Sequence, residues 1–384
     1  MRHAFVFIEV FGCEGGIQSY IQDVLSAYGY LADQNRSISP MMADVFLLRD
    51  AAADGERALS KEQSLQADCI RYHYFKREPS ESPMAERIRL ALALSAYLIR
   101  YRPDRVFCGH INLAVLVSQL CRLLKIPYTV LTYGKEVWYE LPPSQKKAIA
   151  AADRLWTISR YSRDLACEAN QIAPEKFDML PCVVDGDIFT PGQPSNELIE
   201  RYHLQGSRVL TTVARLWPGD IYKGVDVTIR ALPQIAKAFP TVKYVVIGRG
   251  DDQPRLAQLA ADLKVAERVV FAGFVPDQEL MDHYRLADVY VMPSKEGFGI
   301  VYLEAMACGV PVVAGDQDGS ADPLQDGRLG WQVPYRDPEA VAAACMEALT
   351  GKDQRCDGAW LRQESLASFS APALSDRLEK LLWR

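Results

Sequence analysis

Positive charge is the first shortage. Among 384 residues, 43 Lys and Arg face 49 Asp and Glu, a formal net charge of −6. That excludes a nucleic-acid binder held by overall charge. Long apolar runs are also missing. The longest, Leu90 to Ile99, has ten residues and contains Ser95, whereas a membrane span needs about 20. The opening run, Met1 to Glu9, is too short for a secretory signal, ends in an acid and has no small-residue cleavage site. The nine cysteines, at 13, 69, 108, 121, 167, 182, 308, 345 and 356, are odd in number, and no two have CxxC spacing. This speaks against a zinc knuckle or a secreted disulfide framework and for a reducing cytosol. There is no short repeat, no low-complexity tract, and no Ser/His/Asp set of recognisable spacing among only five histidines.

What is there is ordinary globular composition: 49% apolar and 24% charged residues, which sets aside disordered and fibrous classes. A chain this long exceeds a single core, so two cores are expected. Short β-branched runs alternate with longer helical ones, the pattern of βαβ units and parallel sheets. In the first half, strands are expected at Ala4–Val10, Val45–Leu48, Arg105–Cys108, Tyr128–Leu131 and Arg154–Ile158. Helices are expected near Ile17–Tyr30, Met84–Arg102, Ala114–Lys125 and Tyr161–Glu168. The second half restarts the pattern. Its strands are Arg208–Val213, Lys243–Ile247, Arg268–Phe271, Val289–Met292 and Pro311–Ala314; its helices are Val225–Phe239, Pro254–Leu263, Asp277–Ala287 and Ile300–Cys308. The Pro, Gly and small polar residues of 189–196 mark a linker. The expected division is 1–188, 189–368, and a last helix at 369–384 returning to the first domain. In doubly wound sheets, ligands sit at the carboxyl ends of the strands.

The strongest chemical constellation runs from Pro293 to Glu304. It follows an apolar strand and opens a helix. Gly297 and Gly299 let backbone approach a ligand closely. The helix start offers unpaired N–H groups and the positive end of a dipole, suited to phosphate. Glu296 in the loop and Glu304 one turn into the helix can accept hydrogen bonds from sugar and ribose hydroxyls. The plain alternative is a glycine turn with an acid at a helix start. Arg215 after one strand and Lys223 before the next helix could neutralise a diphosphate without a metal, though surface cations are usually just solvated. A strand runs into Gly248-Arg249-Gly250, a weak nucleotide-binding pattern alone.

On these segments the chain resembles the family 4 glycosyltransferases, which have the GT-B fold. The segments are VARL…YKG at 213–224, VVIGRG at 245–250, FAGFVPDQEL at 271–280 and, most specific, the E-x7-E signature in EGFGIVYLEAMACGVPVVA at 296–314. Weaker matches in the first half are GCEGGIQ at 12–18, GH at 109–110, YGKE at 133–136, TISRYSRDL at 157–165 and LPCVVDGDIF at 180–189. The resemblance implies two Rossmann-like domains facing across a cleft. It further implies that Arg215 and Lys223 bind the donor diphosphate, Glu296 the transferred sugar and Glu304 the ribose. Backbone around Gly297, Phe298, Gly299, Ile300 and Val301 would hold phosphate, Val275 would meet the base, Gly15 and Gly16 would lie beside phosphate and sugar, and His110 would sit at the reaction centre.

Two places depart from the pattern. The usual Asn-Gly after the interdomain Pro is Cys182-Val183, and the Gly-Gly-x-x-Glu stretch is Asp318-Gly319-Ser320-Ala321-Asp322. The second departure puts the donor's identity in question. Asp185-Gly186-Asp187 spells a D-x-D, but it lies in the interdomain connection, so no metal and no other cofactor is expected. His110 follows a strand at a glycine, where a lone His is often structural; its position and the resemblance favour function.

The implied activity is a retaining transfer of sugar from a UDP- or GDP-sugar to a hydroxyl acceptor, a glycan or lipid-linked glycan of polysaccharide assembly. Nothing nominates a nucleophile for double displacement. A sugar-nucleotide epimerase on the same fold and a non-catalytic donor-binding subunit are the rivals; product formation with and without acceptor separates them. The stretch 71–105 holds Arg71, Lys76, Arg77, Arg87, Arg89, Arg100, Arg102 and Arg105 against four acids. Its helix places Leu90, Leu94, Tyr97 and Leu98 in one apolar stripe. Both packing on a sheet and peripheral contact with anionic lipid fit this pattern. The expected location is cytoplasmic, at or near the inner membrane face.

Overall fold

Strands that read as nearly unbroken Val, Ile, Leu, Phe and Tyr need cover on both faces, and that requirement builds the parallel sheets here. In this computed structural model, residues 1–13, 15–35, 40–61, 68–78 and 81–384 are described. Glu14 of the 12–18 segment and residues 79–80 of the basic stretch lie outside them. The chain divides into two units, Met1–Cys182 with Ala371–Arg384, and Val183–Ser370. The boundaries fall earlier than 188 and later than 368 for a physical reason. Val184 N–H donates to Phe369 C=O at 2.9 Å, and Arg362 donates to the carbonyls of Gly186 and Phe189 at 2.6 Å each. These bonds tie 184–189 to the second unit.

The first unit runs β1 (Arg2–Phe7), α1 (Gly16–Gln34), β2 (Met42–Leu47), α2 (Ala52–Lys61), β3 (Ile70–Tyr74), α3 (Pro83–Tyr101), β4 (Arg105–Cys108), α4 (Ile111–Leu124), β5 (Tyr128–Thr132), α5 (Pro143–Ala150), β6 (Arg154–Thr157), α6 (Arg160–Asn170) and β7 (Phe177–Met179). Its seven parallel strands are ordered β3-β2-β1-β4-β5-β6-β7. The order reverses between β1 and β4, the switch point where such sheets bind ligands. β1 stops at Phe7 rather than Val10 because the chain then turns onto buried Asp50. That carboxylate accepts the N–H groups of Val10, Phe11 and Gly12 at 2.7, 2.9 and 2.6 Å.

β3 escapes the sequence reading. It is an edge strand, so Arg71 and His73 are tolerated where a central strand would be apolar. On α3, Leu90, Leu94, Tyr97 and Leu98 are buried in the core. The stripe foreseen for lipid or packing is therefore a packing stripe.

The second unit runs α7 (Asn196–Arg201), β8 (Arg208–Val213), α8 (Val225–Ala238), β9 (Val242–Ile247), α9 (Gln253–Asp262), β10 (Val269–Gly273), α10 (Asp277–Arg285), β11 (Val289–Met292), α11 (Ile300–Ala307), β12 (Val312–Gly315), β13 (Trp331–Val333), α12 (Pro338–Leu349) and α13 (Gly358–Phe369). Its six parallel strands repeat the order, β10-β9-β8-β11-β12-β13. β11 and β12 are wholly buried. A final helix, α14 (Ala371–Leu382), belongs to the first unit and packs on α1. No helix among the described residues is long and apolar enough to cross a membrane.

Candidate functional site

The switch point of the second unit lies between β8 and β11, and the segments leaving those two strands carry Arg215, Lys223 and the 293–299 loop. Their junction needs a glycine. Gly224 has φ +77°, and a Cβ there would lie 2.5 Å from the Pro293 carbonyl oxygen. Lys295 N–H donates to Tyr222 C=O at 3.0 Å. The close approach brings the Lys223 ammonium into an ion pair with the Glu296 carboxylate, both side chains mostly withdrawn from solvent. Arg215 stands on the same connection but reaches outward. Its side chain is 72% exposed and pairs with Asp220 at 3.2 Å. Behind it Gly248, at φ +132°, packs where a Cβ would meet the Ala214 carbonyl oxygen at 1.9 Å. Gly248 thus backs the Arg215 connection.

α11 begins at Ile300 after Gly299, whose φ of +87° is left-handed and whose side has no room for a Cβ against the Tyr302 ring. No side chain caps this helix start, so its dipole is open to an anion. Phe298 is buried, while Gly297, Ile300 and Val301 are partly exposed. One turn in, Glu304 is half-buried and accepts a hydrogen bond from the Tyr284 hydroxyl at 2.5 Å. Burial pushes its carboxyl up to about 7; Tyr284 pulls it down and Asp277 adds a smaller upward push. Val275, after β10, is half-buried beside exposed Phe274, over whose ring the Arg249 guanidinium sits at 4.8 Å.

A second layer comes from the turn after β12. Asp318 is 3% exposed. Its carboxylate accepts the N–H groups of Glu296 at 2.7 Å and Ser320 at 2.9 Å, the Ser294 hydroxyl at 3.3 Å, and the Ser320 hydroxyl. Burial raises it to about 6, opposed by these donors and assisted by the nearby Glu296 charge. Gly319 N–H donates to Glu296 C=O at 2.8 Å. The sequence marks Asp318 only as a departure from the Gly-Gly-x-x-Glu pattern and does not mark Tyr284; a carboxylate that serves a distant amide has no spacing signature.

In the first unit, the residues expected at the site gather at its own switch point. Gly15 precedes α1 and Gly16 opens it, with nothing within 4 Å of where a Gly16 Cβ would stand. His110 caps α4: its Nδ1 accepts Asn112 N–H at 3.1 Å. The ring proton therefore sits on Nε2, a donor. Burial lowers the imidazole pKa, Glu136 opposes and Arg49 adds to the lowering. Gly109 packs where a Cβ would strike the Phe7 ring at 1.9 Å, so β1 and β4 end tightly side by side. Asp185 spends its carboxylate on its own turn, accepting Asp187 N–H at 2.7 Å and Ile188 N–H at 3.2 Å. Among the described residues, no group of three His, Cys, Asp or Glu could hold a metal.

Two doubly wound parallel units define the GT-B architecture. The chain matches Anabaena Alr3699/HepE, solved in complex with UDP, with a TM-score of 0.76 at 19% identity over 100% of this chain and 99% of that one. Residues 207–351 match the family Glycosyl transferases group 1. A GDP-mannose-dependent alpha-(1-6)-phosphatidylinositol monomannoside mannosyltransferase of Mycolicibacterium smegmatis is 37% identical over 232 residues, 57% of this chain and 59% of that protein. The monoacylated-acceptor counterpart of Corynebacterium glutamicum is 28% identical over 96% of this chain and 94% of that protein. The chain thus matches a little under two thirds of the length of the first relative and nearly all of the second. The chain has the GT-B fold, and its residues 207–351 match the Glycosyl transferases group 1 domain.

Proposed function

We propose that the chain moves a sugar, with retention, from a nucleotide diphosphate sugar to a hydroxyl of a glycolipid, and that GDP-mannose is the donor. The observation that carries the reading is the Lys223–Glu296 pair at the switch point of the second unit, beside an uncapped helix start. The GDP-mannose-dependent relatives favour that donor.

As the anomeric C–O bond breaks, negative charge builds on the leaving diphosphate. Lys223, Arg215 and the N–H groups opening α11 stabilise it. Glu296 accepts from the sugar hydroxyls and Glu304 from the ribose. The acceptor oxygen bonds to the anomeric carbon on the face the phosphate leaves, and its proton passes to the departing phosphate oxygen. His110 contributes a hydrogen bond from Nε2. The cations supply the countercharge, so turnover is expected to survive EDTA; abolition by EDTA with rescue by Mn²⁺ would overturn that. Incubation with GDP-, UDP- and ADP-sugars, with and without a phosphatidylinositol mannoside, tests the whole reading. Product only with acceptor and GDP-mannose supports it, whereas isomerised donor without acceptor would favour an epimerase.

A lipid acceptor calls for a lipid surface, and α3 offers one on the face opposite its packing stripe. Met84, Ile88, Leu92 and Ile99 are 58, 52, 67 and 64% exposed and follow one helical line. Ser95, on the same line, turns its hydroxyl to Ala91 C=O at 2.6 Å. Exposed Arg87 and Arg100 flank the line, and each cation near an anionic surface contributes about 1 kcal/mol. Arg89 contributes less, because it pairs with Glu81 at 2.6 Å. Co-sedimentation with vesicles containing phosphatidylinositol is expected at low salt and should fall with Leu92→Glu or with charge reversal at Arg87. Absence of sedimentation would return this face to solvent or to a protein partner.

A further inference from the structure

We propose that Asp318 is the positioning residue that aims Glu296. This rests on the reading of the second unit as the donor site.

The loop from Ser294 to Glu296 crosses the switch point with few bonds of its own. Its three successive amide groups go to three places: Ser294 N–H to Met292 C=O at 2.8 Å, Lys295 N–H to Tyr222 C=O at 3.0 Å, and Glu296 N–H to the Asp318 carboxylate at 2.7 Å. The carbonyl of Glu296 is taken from the same side, by Gly319 N–H at 2.8 Å. Both polar groups of one residue's backbone are therefore held by two consecutive residues of the turn after β12. With its backbone pinned twice, Glu296 has its side-chain direction set, and that direction carries it to Lys223.

The arrangement is built closely enough that it has no slack. A Cβ on Gly319 would stand 2.0 Å from the Gly297 carbonyl oxygen, and one on Gly315 would stand 2.4 Å from the Ser294 carbonyl oxygen. Asp318 is itself fixed from behind. It caps the short turn it opens by accepting Ser320 N–H, and it takes the Ser294 hydroxyl, which lies 2.8 Å from the Tyr302 hydroxyl. Tyr302 in turn donates to Met292 C=O at 2.9 Å. A carboxylate suits this place because only an acceptor with several lone pairs can take two amides and two hydroxyls together.

A residue that aims Glu296 should matter to the sugar and not to the nucleotide, since Glu304 and the start of α11 make no bond to Asp318. Calorimetry with GDP and with GDP-mannose on Asp318→Ala and Asp318→Asn, alongside kcat and KM, tests this. The expected result is GDP affinity and stoichiometry within about twofold of the unaltered protein, with GDP-mannose turnover down about 10- to 100-fold in Asp318→Ala. Asp318→Asn, which keeps one acceptor for the Glu296 amide, should recover part of the kcat. Equal loss of GDP and GDP-mannose binding, or full activity in Asp318→Ala, would overturn the assignment. If Asp318→Ala does not fold, Asp318→Asn decides alone: unchanged kcat refutes, and a several-fold fall with intact GDP binding supports. Failure of the unaltered protein to bind GDP or any other nucleoside diphosphate would instead remove the donor-site reading itself.

Discussion

Glu304 carries a carboxyl held near 7 by burial, so the proposed ribose contact predicts that nucleotide binding depends on pH. Below 7 it is mostly protonated in the free protein, whereas ribose hydroxyls that donate to it need the carboxylate. GDP should therefore bind more tightly as pH rises from about 6 to 8, with proton uptake by buffer visible in calorimetry across buffers of different ionisation heat. The stability sign is opposite. A carboxyl whose folded pKa exceeds its unfolded value favours the fold below that unfolded value and loses the benefit as pH rises through the folded one. Glu304→Gln should then raise the melting temperature at pH 8 while abolishing the pH dependence of GDP affinity. A lost pH dependence without weaker affinity would argue against ribose contact.

The two cations should part company at the same scale. A charge-assisted bond contributes about 1.5–3 kcal/mol, so Arg215→Ala and Lys223→Ala should each weaken GDP binding about 10- to 100-fold. Lys223→Ala should also lower the melting temperature, because it leaves a largely withdrawn Glu296 carboxylate unpaired. Arg215 is exposed, and its loss should leave melting unchanged.

Between elements, two glycines make opposite expectations. Gly319→Ala drives a methyl into the Gly297 carbonyl and should cost about 1–3 kcal/mol in melting along with turnover. Gly16→Ala meets nothing within 4 Å at the first residue of α1 and should be neutral or slightly stabilising. If it nevertheless abolishes activity with melting intact, a substrate comes close to that position.

Much at this scale was legible beforehand. Contiguous runs such as Val289–Met292 followed by the Glu296–Glu304 segment read directly as strand, loop and helix, because each is local. The expected α3, Met84–Arg102, differs by one residue at each end from Pro83–Tyr101. What escaped was non-local. β3 hid behind the Arg, Tyr and His that an edge permits, and β1 ended early because Asp50, more than forty residues from Phe7 in sequence, captures the next amides. Tyr284 reaches the site only through the placement of α10, and the bond of Asp318 to the Glu296 amide depends on the turn after β12, which no residue spacing encodes.

For the molecule as a whole, the unit boundaries mean that one unit is a single stretch and the other is not. Residues 183–370 are continuous, whereas the first unit takes its last helix from 371–384. Leu374, Leu378, Leu381 and Leu382 of α14 are 7% exposed or less, and Arg384 reaches Asp178 at 3.1 Å. Burying one leucine contributes about 1.5–3 kcal/mol, so four approach the whole stability of a domain. Deleting 371–384 should unfold the first unit and leave GDP binding by the second. Scanning calorimetry should then show one remaining transition that GDP raises. Loss of GDP binding in the same deletion would show that the second unit does not stand without the first.

That same crossing has a consequence for the order in which the protein is made. Domains generally fold in the sequence in which the ribosome delivers them, but here the unit begun first is finished last. The second unit can close while the surface of α1 that α14 will cover is still bare. During that interval the nascent chain presents an apolar helix face with no mate. Slow translation through 183–370 would lengthen the exposure, and a chaperone that holds α1 would shorten its cost.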